Sequence, residues 1–379
     1  MMDKMNVVIM VSDGYPDMFS ANNTKGEYIA LGLKEAGCEV VMSDSVLGSK
    51  GTTNLKMGKS DKGIDYVKLP YGKIAKNVVL IWKLLRKHKK NGCNHLLLGM
   101  NFFPFFVIIS LMAAMLGYTR STLYHEDHIG MNHPKKWQRI EAYVKDNFFA
   151  YFLNAIFPIS HYLKDKSEKF KKSMMLVPVL ASYNRCVDCR VPKEYFTFCG
   201  HAGYLLRNTI VLDAFKKFVE TGDYKNYKLI LVLVGNEKIL TDAQHLIDSY
   251  NLQNRIEVKL NLPQSELYNL YENSLGLIIP LDPNNLQDKA RFSQKIAEYV
   301  ACKRPVITNA AGEVPYYFEN NKSAVIVPYD SDGFCNGMLY LANHIEQSNR
   351  IGECGYQVGC SFFDYNAVGR KMAFFINRL

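Results

Sequence analysis

The chain has 379 residues, of which 48% are hydrophobic, and this length and composition allow two domains with their own cores and exclude a disordered chain. The net charge of +10 is unevenly divided: residues 1–190 hold 27 Lys and Arg against 16 Asp and Glu, and the remainder holds 19 against 20. Nine cysteines, an odd number, do not suggest a disulfide framework, and residues 5–11 read as a strand and not as a signal peptide, so we expect a cytoplasmic protein.

The first elements along the chain predict a parallel sheet. A strand at residues 6–11 leads to a helix over 24–36, which Gly37 closes, and then to a strand at 39–42. This order is a β-α-β unit. Residues 43–63 are rich in Gly, Ser, Thr, Asn and Lys, and we interpret them as a long loop at the edge of the sheet.

Strands and helices continue to alternate, and the alternation restarts after an irregular stretch at residues 178–192. The other predicted strands cover residues 64–69, 95–98, 122–124, 155–159, 174–177, 195–200, 229–234, 256–258, 276–279, 305–307 and 324–327. The pattern predicts an α/β fold of two doubly wound, Rossmann-like domains, at residues 1–180 and 193–364, that face each other across a cleft. A last helix, at residues 365–379, is expected to pack back on the first domain.

Two segments of the first half raise the question of a membrane. Residues 83–90 form a cationic end to an apolar helical run, which suits an anionic bilayer or an anionic acceptor but equally a solvated helix end whose cations complement the helix dipole. Residues 102–118 are almost free of polar side chains but are short for a bilayer, so a helix buried in the α/β sandwich is favoured. No nucleic-acid-binding signature accompanies the charge, so nucleic acid is not expected as a partner.

The segment from Phe292 to Ile307 carries the most functional information. Lys295 and Glu298 are three residues apart, hence on one face of a predicted helix that runs into a short strand. A lysine near a helix start can meet a diphosphate, and a carboxylate one turn later can accept hydrogen bonds from ribose hydroxyls. The segment resembles the nucleotide-sugar site of retaining glycosyltransferases of the GT-B fold, family GT4 (glycosyl transferases group 1), which read F-x-x-K-x-x-E-Y-x-A-x-x-x-P-V-I.

The resemblance extends through residues 263–271, 311–315 and 325–328 and implies an activity. The protein would move a sugar, with retention, from a nucleoside-diphosphate sugar to a hydroxyl of a lipid-linked or saccharide acceptor, in the synthesis of cell-surface polysaccharide or glycolipid. No metal cofactor is implied, because cationic side chains neutralise the leaving diphosphate. By position in the family motifs, the predicted catalytic residues are His125, Arg207 and Lys295. The predicted donor-binding residues are Gly14, Ser20, Ala21, Gly200, His201, Gly235, Asp288, Arg291, Phe292, Ser293 and Glu298, and the predicted acceptor-binding residues are Glu126, Asp127 and His128.

This sequence departs from the family pattern at three places. His201 stands where an arginine is usual, and it carries less charge at neutral pH. Ala290 stands eight positions before Glu298, where the family has its first glutamate, and Asp288 is the nearest carboxylate that could replace it. Ser20 and Ala21 take the place of a Gly-Gly pair.

Several alternatives stay open at this stage. A zinc site at His125 and His128 lacks the spacing of a helical metal pair, and Cys186 and Cys189 lack a second pair of ligands. A sugar-nucleotide 2-epimerase has the same two domains but needs more acidic and histidine groups around the sugar. A catalytically idle relative that acts as a binding or scaffold protein is favoured by Ala290 and His201 and opposed by the intact lysine and glutamate. The sequence does not determine the donor base, the sugar, the acceptor, the oligomeric state or attachment to the inner face of a membrane.

Overall fold

A computed structural model describes residues 5–12, 14–17, 21–90, 92–99, 102–124, 135–184, 191–222 and 224–379. The chain divides into two compact units, the first formed by residues 1–181, 290–292 and 362–379 and the second by residues 182–289 and 293–361. Both units are α/β with largely parallel sheets, which confirms the predicted fold class. None of the helices in the described ranges combines the length and the apolar character needed to cross a bilayer.

The first unit contains one mixed sheet and the helices that cover it. Its strands are β1 (Asn6–Ser12), β2 (Glu39–Asp44), β3 (Lys56–Lys59), β4 (Asp65–Lys68), β5 (Asn94–Gly99), β6 (Thr119–Tyr124), β7 (Ala155–Pro158) and β8 (Ser173–Met174). Its helices are α1 (Ala21–Glu35), α2 (Ile74–His88), α3 (Phe103–Met115), α4 (Lys136–Phe148), α5 (His161–Ser167) and, numbered last in the chain, α15 (Tyr365–Ile376). The strand order is β3-β4-β2-β1-β5-β6-β7-β8.

The strand β1 lies inside the sheet, parallel to β2 and β5, and is apolar because both of its faces are covered. Val7 and Ile9 belong to one buried cluster with Leu97 and Phe157, whereas Val8 points to the opposite face, since side chains alternate along a strand. The crossovers through α2, α3 and α4 all advance across the sheet in one direction, and the crossover through α1 runs the other way. Right-handed connections therefore place α2, α3 and α4 together on one face and α1 on the other.

The helix α15 packs directly against α1. A Cβ atom added to Gly32 would lie 2.2 Å from the carbonyl oxygen of Tyr365, and one added to Gly369 would lie 2.2 Å from the carbonyl carbon of Gly32. The rings of Tyr28 and Tyr365 stack beside this crossing, with centroids 5.6 Å apart. Glycine is needed at both positions because the two backbones leave no room for a side chain.

The structure corrects the interpretation of residues 43–63 as a loop without regular structure. They contain the edge strand β3, which is antiparallel to β4 and pairs Gly58 with Tyr66. A Cβ atom on Gly58 would lie 2.8 Å from the hydroxyl of Tyr66, so the glycine lets this side chain lie across the strand. All four residues of β3 are exposed, and an exposed edge strand carries no hydrophobic alternation from which it could be recognised.

The structure also corrects the interpretation of residues 102–118 as a buried helix. The helix α3 forms there, but only one side is covered, by way of Phe106, Ile109, Ser110 and Ala113. The opposite side is exposed to solvent. Because the segment is apolar all round, its sequence does not distinguish a half-covered helix from a buried one.

The second unit is a parallel sheet between two layers of helices, in the strand order β11-β10-β9-β12-β13-β14. Its strands are β9 (Tyr195–His201), β10 (Lys228–Val234), β11 (Ile256–Leu260), β12 (Gly276–Ile278), β13 (Val306–Thr308) and β14 (Val325–Ile326). Its helices are α6 (Ala202–Arg207), α7 (Ile210–Glu220), α8 (Glu237–Asp248), α9 (Gln264–Asn273), α10 (Leu286–Ala290), α11 (Gln294–Val300), α12 (Val314–Tyr317), α13 (Ser331–Asn343) and α14 (Ile345–Phe362). A buried cluster of Phe196, Phe215, Phe218 and Met338, among others, fills its core.

Candidate functional site

The helix α11 is fixed against the carboxyl end of strand β9. The hydroxyl of Tyr299 accepts a hydrogen bond from the backbone N–H of Cys199, at 3.0 Å, and the Tyr299 ring meets the ring of Tyr271 edge to face with centroids 4.9 Å apart. The hydroxyl of Tyr183 donates to the carbonyl oxygen of Ala297, at 2.9 Å. Two buried tyrosines thus anchor both sides of this short helix, and the residues on its first turn are held beside the end of the sheet.

Lys295 and Glu298 form an ion pair on α11, as their spacing predicts. The Lys295 Nζ donates to Glu298 Oε2 at 2.9 Å, and the two side chains are only 29% and 12% exposed. Burial alone favours the neutral amine, but the Glu298 carboxylate and the neighbouring Cys199 together outweigh this effect, so the pKa of Lys295 is raised above its ordinary value. Lys295 is therefore cationic at neutral pH, and an anion at this place would meet a fixed positive charge.

The pair has two neighbours that sequence reasoning did not single out. The thiol of Cys199 lies close enough to Lys295 and Tyr271 to affect the pKa of each. The side chain of Tyr271 is fully buried, burial raises its pKa well above the ordinary value, and its hydroxyl has no hydrogen-bond partner in the part of the chain that the structure describes. In the sequence, the one feature that pointed to Cys199 was its position directly before Gly200, which begins the segment that was compared with the family.

Strand β9 continues directly into helix α6, which carries two of the predicted residues. Gly200 and His201 end the strand, and the His201 Nδ1 accepts the backbone N–H of Gly203 at 3.1 Å, so this ring caps the helix. In that arrangement the ring proton resides on Nε2. The exposed guanidinium of Arg207, in the last turn of α6, stacks on the ring of Tyr204 at 4.8 Å from its centroid. Arg207 thus contacts its own helix and not the Lys295–Glu298 pair.

Three other strand ends lie at the same edge of the sheet. Asn309, which follows β13, accepts from the N–H of Leu281 and donates to its carbonyl oxygen, both at 2.8 Å, and so joins the ends of β12 and β13. Sequence reasoning missed Asn309, although an amide side chain directly after a predicted strand can be recognised in the sequence. Gly235 follows β10, and a Cβ atom there would meet Ile239 at an ordinary 3.5 Å, so packing does not require glycine at this position.

Comparison with known protein families identifies this part of the chain. Residues 190–358 match the sequence model of the glycosyl transferases group 1. The second unit is a group 1 glycosyltransferase domain. Over these residues the match confirms the predicted recognition as glycosyl transferases group 1, and with it the predicted enzyme class, a glycosyltransferase. No curated protein sequence matches the chain significantly.

Solved glycosyltransferase structures share the fold over the whole chain. A glycosyltransferase from Rickettsia africae matches with a TM-score of 0.71 and 16% identity, over 99% of this chain and 98% of the other. Sucrose-phosphate synthase from Thermosynechococcus elongatus matches with a TM-score of 0.70 and 13% identity, over 99% of both chains. HepE from Anabaena, in complex with UDP and glucose, matches with a TM-score of 0.72 and 11% identity, over 100% of both chains. At these identities the likeness establishes the GT-B fold.

The segment that precedes α11 in the glycosyltransferase domain is held by its own structural contacts. Asp288 is buried, and its Oδ2 accepts the N–H of Asp282 at 3.1 Å, so this oxygen holds the local loop in place. Ala290, which with residues 291 and 292 belongs to the first unit, is fully buried, so a glutamate at this position would bury a charged carboxylate. Its carbonyl oxygen accepts from the hydroxyl of Ser160 at 2.6 Å. The ring of Phe292 is buried, and Ser293 precedes α11 without using its side chain as a cap. Arg291 and Ser293 are partly exposed.

The predicted residues of the first unit are only partly described. The N–H of Gly14, at a positive φ of 85°, donates to Asp44 Oδ1 at 3.1 Å, and Asp44 also accepts the N–H of Leu69 at 2.8 Å. Asp44 is buried at the carboxyl end of β2 and holds the segments that follow β1 and β4, a role that sequence reasoning missed. Of Ala21 only the backbone, at the start of α1, is described. Ser20, His125, Glu126, Asp127 and His128 lie outside the described residues, as do Cys186 and Cys189.

Proposed function

We propose that this glycosyltransferase moves a sugar from a nucleoside-diphosphate sugar to a hydroxyl group of a lipid-linked or saccharide acceptor, with retention of the anomeric configuration. A bond forms between the anomeric carbon and the acceptor oxygen, while the bond from that carbon to the diphosphate breaks and the hydroxyl proton is released. The diphosphate leaves with both electrons of the broken bond. The protein must therefore neutralise negative charge that develops on the leaving group.

The Lys295–Glu298 pair is the observation that carries this proposal. A raised pKa keeps the Lys295 ammonium charged, and the neighbouring carboxylate fixes its position before a ligand arrives. In the proposed complex Lys295 contacts the diphosphate and Glu298 accepts hydrogen bonds from the ribose, with Arg207 as the second cation. Because these side chains supply the positive charge, we propose that the reaction needs no metal ion. The bound UDP and glucose of HepE support a nucleotide sugar as the donor.

The charge of the first half of the chain supports the proposed acceptor and setting. Residues 1–190 carry the whole positive excess of the chain, which suits an acceptor with phosphate groups. We propose a role in cell-surface polysaccharide or glycolipid synthesis, from the cytoplasm and at the inner face of the membrane. His125 remains the predicted group for the donor sugar, and Glu126, Asp127 and His128 remain predicted acceptor contacts.

Donor binding and hydrolysis test the proposal. The purified protein is heated with UDP-, GDP- and ADP-sugars, and a donor at one hundred times its Kd should stabilise it by about 2.7 kcal/mol. The unchanged protein should also hydrolyse its donor slowly and release the nucleoside diphosphate. The variant Lys295→Met should lose both the thermal stabilisation and this hydrolysis. Lys322→Met is the matched control, because Lys322 forms an ion pair of the same spacing with Glu319 on the surface of the same unit.

Two outcomes would count against the proposal. If none of the donors raises the melting temperature or is hydrolysed, the protein does not use a nucleotide sugar of these classes. Donor binding without any turnover, in the presence of lipid and saccharide acceptors, would instead favour the catalytically idle relative that the replaced residues Ala290 and His201 suggest.

A further inference from the structure

Helix α3 exposes an apolar stripe that nothing covers within the described residues. The side chains at positions 104, 108, 111 and 115 follow one another at helical spacing on the outside, and all four are apolar. Leu111 is 48% exposed and Met115 is 76% exposed. The single polar residue of the helix, Ser110, is buried and donates to the carbonyl oxygen of Phe152. A helix at a protein surface normally exposes polar residues to water, so this exposed apolar stripe indicates a surface that binds another molecule.

The helices on either side of α3 extend this surface. The backbone N–H of Phe103 donates to the carboxylate of Glu141 at 3.2 Å, and this contact joins the start of α3 to α4. The outer side of α4 carries Trp137, Ile140 and Tyr143, each more than half exposed. On the other side of α3, helix α2 lies on the same face of the sheet. We call these three helices and their outward side chains the α2–α3–α4 layer.

The net charge of this layer is positive. Residues 66–125, which include α2 and α3, contain nine Lys and Arg and no Asp or Glu. Four cations point outward from α2 without an ion pair in the described part of the chain, namely Lys76, Lys83, Arg86 and Lys87. The carboxylates of α4 are already engaged: Glu141 accepts from Phe103, and Asp146 pairs with Lys166. The layer therefore offers apolar, aromatic and cationic groups, and an anionic partner with an apolar interior complements all three.

We propose that the α2–α3–α4 layer docks on the surface of an anionic lipid bilayer. The stripe of α3 enters the boundary between headgroups and acyl chains, Trp137 and Tyr143 lie at the headgroup level, and the cations of α2 contact lipid phosphates. A second copy of the chain fits less well, because two layers of the same positive charge repel each other. This inference rests on the membrane location given under the proposed function and deepens it by naming the surface of the first unit that makes the contact; a bilayer is also where a lipid-linked acceptor is found.

Cosedimentation with vesicles tests the proposal. The full chain is mixed with vesicles of phosphatidylcholine, with and without phosphatidylglycerol, at low and high salt. We expect binding to the anionic vesicles that weakens with salt. The double variant Leu111→Glu, Met115→Glu should bind at least about tenfold more weakly. Phe374→Glu is its matched control, because Phe374 is 49% exposed on α15, on the opposite face of the sheet, and should bind like the unchanged protein.

The cations are tested separately from the apolar stripe. Replacement of Lys83 and Lys87 by Gln should weaken binding by roughly fivefold per residue, whereas the same change at the exposed Lys216 and Lys238 of the second unit should have no effect. Donor-induced thermal stabilisation, measured on every variant, separates a failure of this inference from a failure of the proposed transfer. The inference is overturned by absent binding to anionic vesicles at low salt, by equal losses in the variants and their controls, or by a dimer in solution that the change at Leu111 and Met115 dissociates.

Discussion

The Lys295–Glu298 pair allows stability and catalysis to be separated in one set of variants. The changes are Lys295→Met, Glu298→Gln and both together. At 2.9 Å between Nζ and Oε2, the attraction is about 6 kcal/mol at an effective dielectric constant of 20, and the desolvation of two largely buried charges cancels most of it. We expect Lys295→Met to lower the free energy of unfolding by about 2 kcal/mol, because it leaves the largely buried carboxylate without its partner. Glu298→Gln should cost about 1 kcal/mol, since its partner is more exposed.

The double variant should cost less than the two single changes together, with a coupling of about 1–2 kcal/mol in urea unfolding. The pair Lys322–Glu319 is the control cycle, since it has the same spacing and the same 2.9 Å distance but side chains 66% and 70% exposed. Its coupling should not exceed about 0.5 kcal/mol. Additive losses at Lys295 and Glu298 would show that the two charges do not stabilise each other.

Turnover of the same variants tests the catalytic role. Loss of the cation should reduce kcat by about 100-fold or more in both Lys295→Met and the double variant, because the missing charge acts on the leaving group. Glu298→Gln should act mainly on the donor KM, through the ribose. The double variant regains part of the stability but none of the turnover. A double variant as active as the unchanged enzyme would remove Lys295 from the reaction.

Three further predictions concern the two units and the chemistry. Gly369→Ala should lower the free energy of unfolding by about 3 kcal/mol, because its Cβ would lie 2.2 Å from Gly32. The control is the exposed Arg370→Ala, and equal melting temperatures of the two variants would contradict the packing. Asp44→Asn should cost about 1–3 kcal/mol in urea unfolding, since one of the N–H groups of Gly14 and Leu69 loses its acceptor; an unchanged midpoint would show that neither bond matters. Turnover should survive EDTA, and a loss that added Mg²⁺ restores would refute the metal-independent mechanism.

The fold was predictable because most of its strands are buried on both faces and therefore appear as short apolar runs. The strand β3 was not, since all four of its residues are exposed. Helix α3 was found but its environment was not, because an apolar sequence does not state which side is covered. Which side of α3 is covered depends on how the elements pack in the tertiary structure, and α2 and α4 leave its outer stripe uncovered.

The candidate site was predictable to the extent that it is local. The spacing of Lys295 and Glu298 within one helical turn predicts their contact, and the structure places them 2.9 Å apart. Cys199 and Tyr271 come from a distant strand and a distant helix, so no sequence pattern near Lys295 predicts that they lie beside it. Their convergence results from the docking of α11 on β9, through a hydroxyl that meets a backbone N–H 100 residues away.

The crossing of α1 and α15 has a consequence for how the polypeptide is made. The first unit is discontinuous: residues 362–379, which complete it, are synthesised only after the whole of the second unit. Until then the side of α1 around Gly32 and Tyr28, which later receives α15, stays open to water and to other nascent chains. Synthesis therefore passes through a stage in which the second unit has been made while the first is still incomplete, and this is the species on which chaperones and proteases would act.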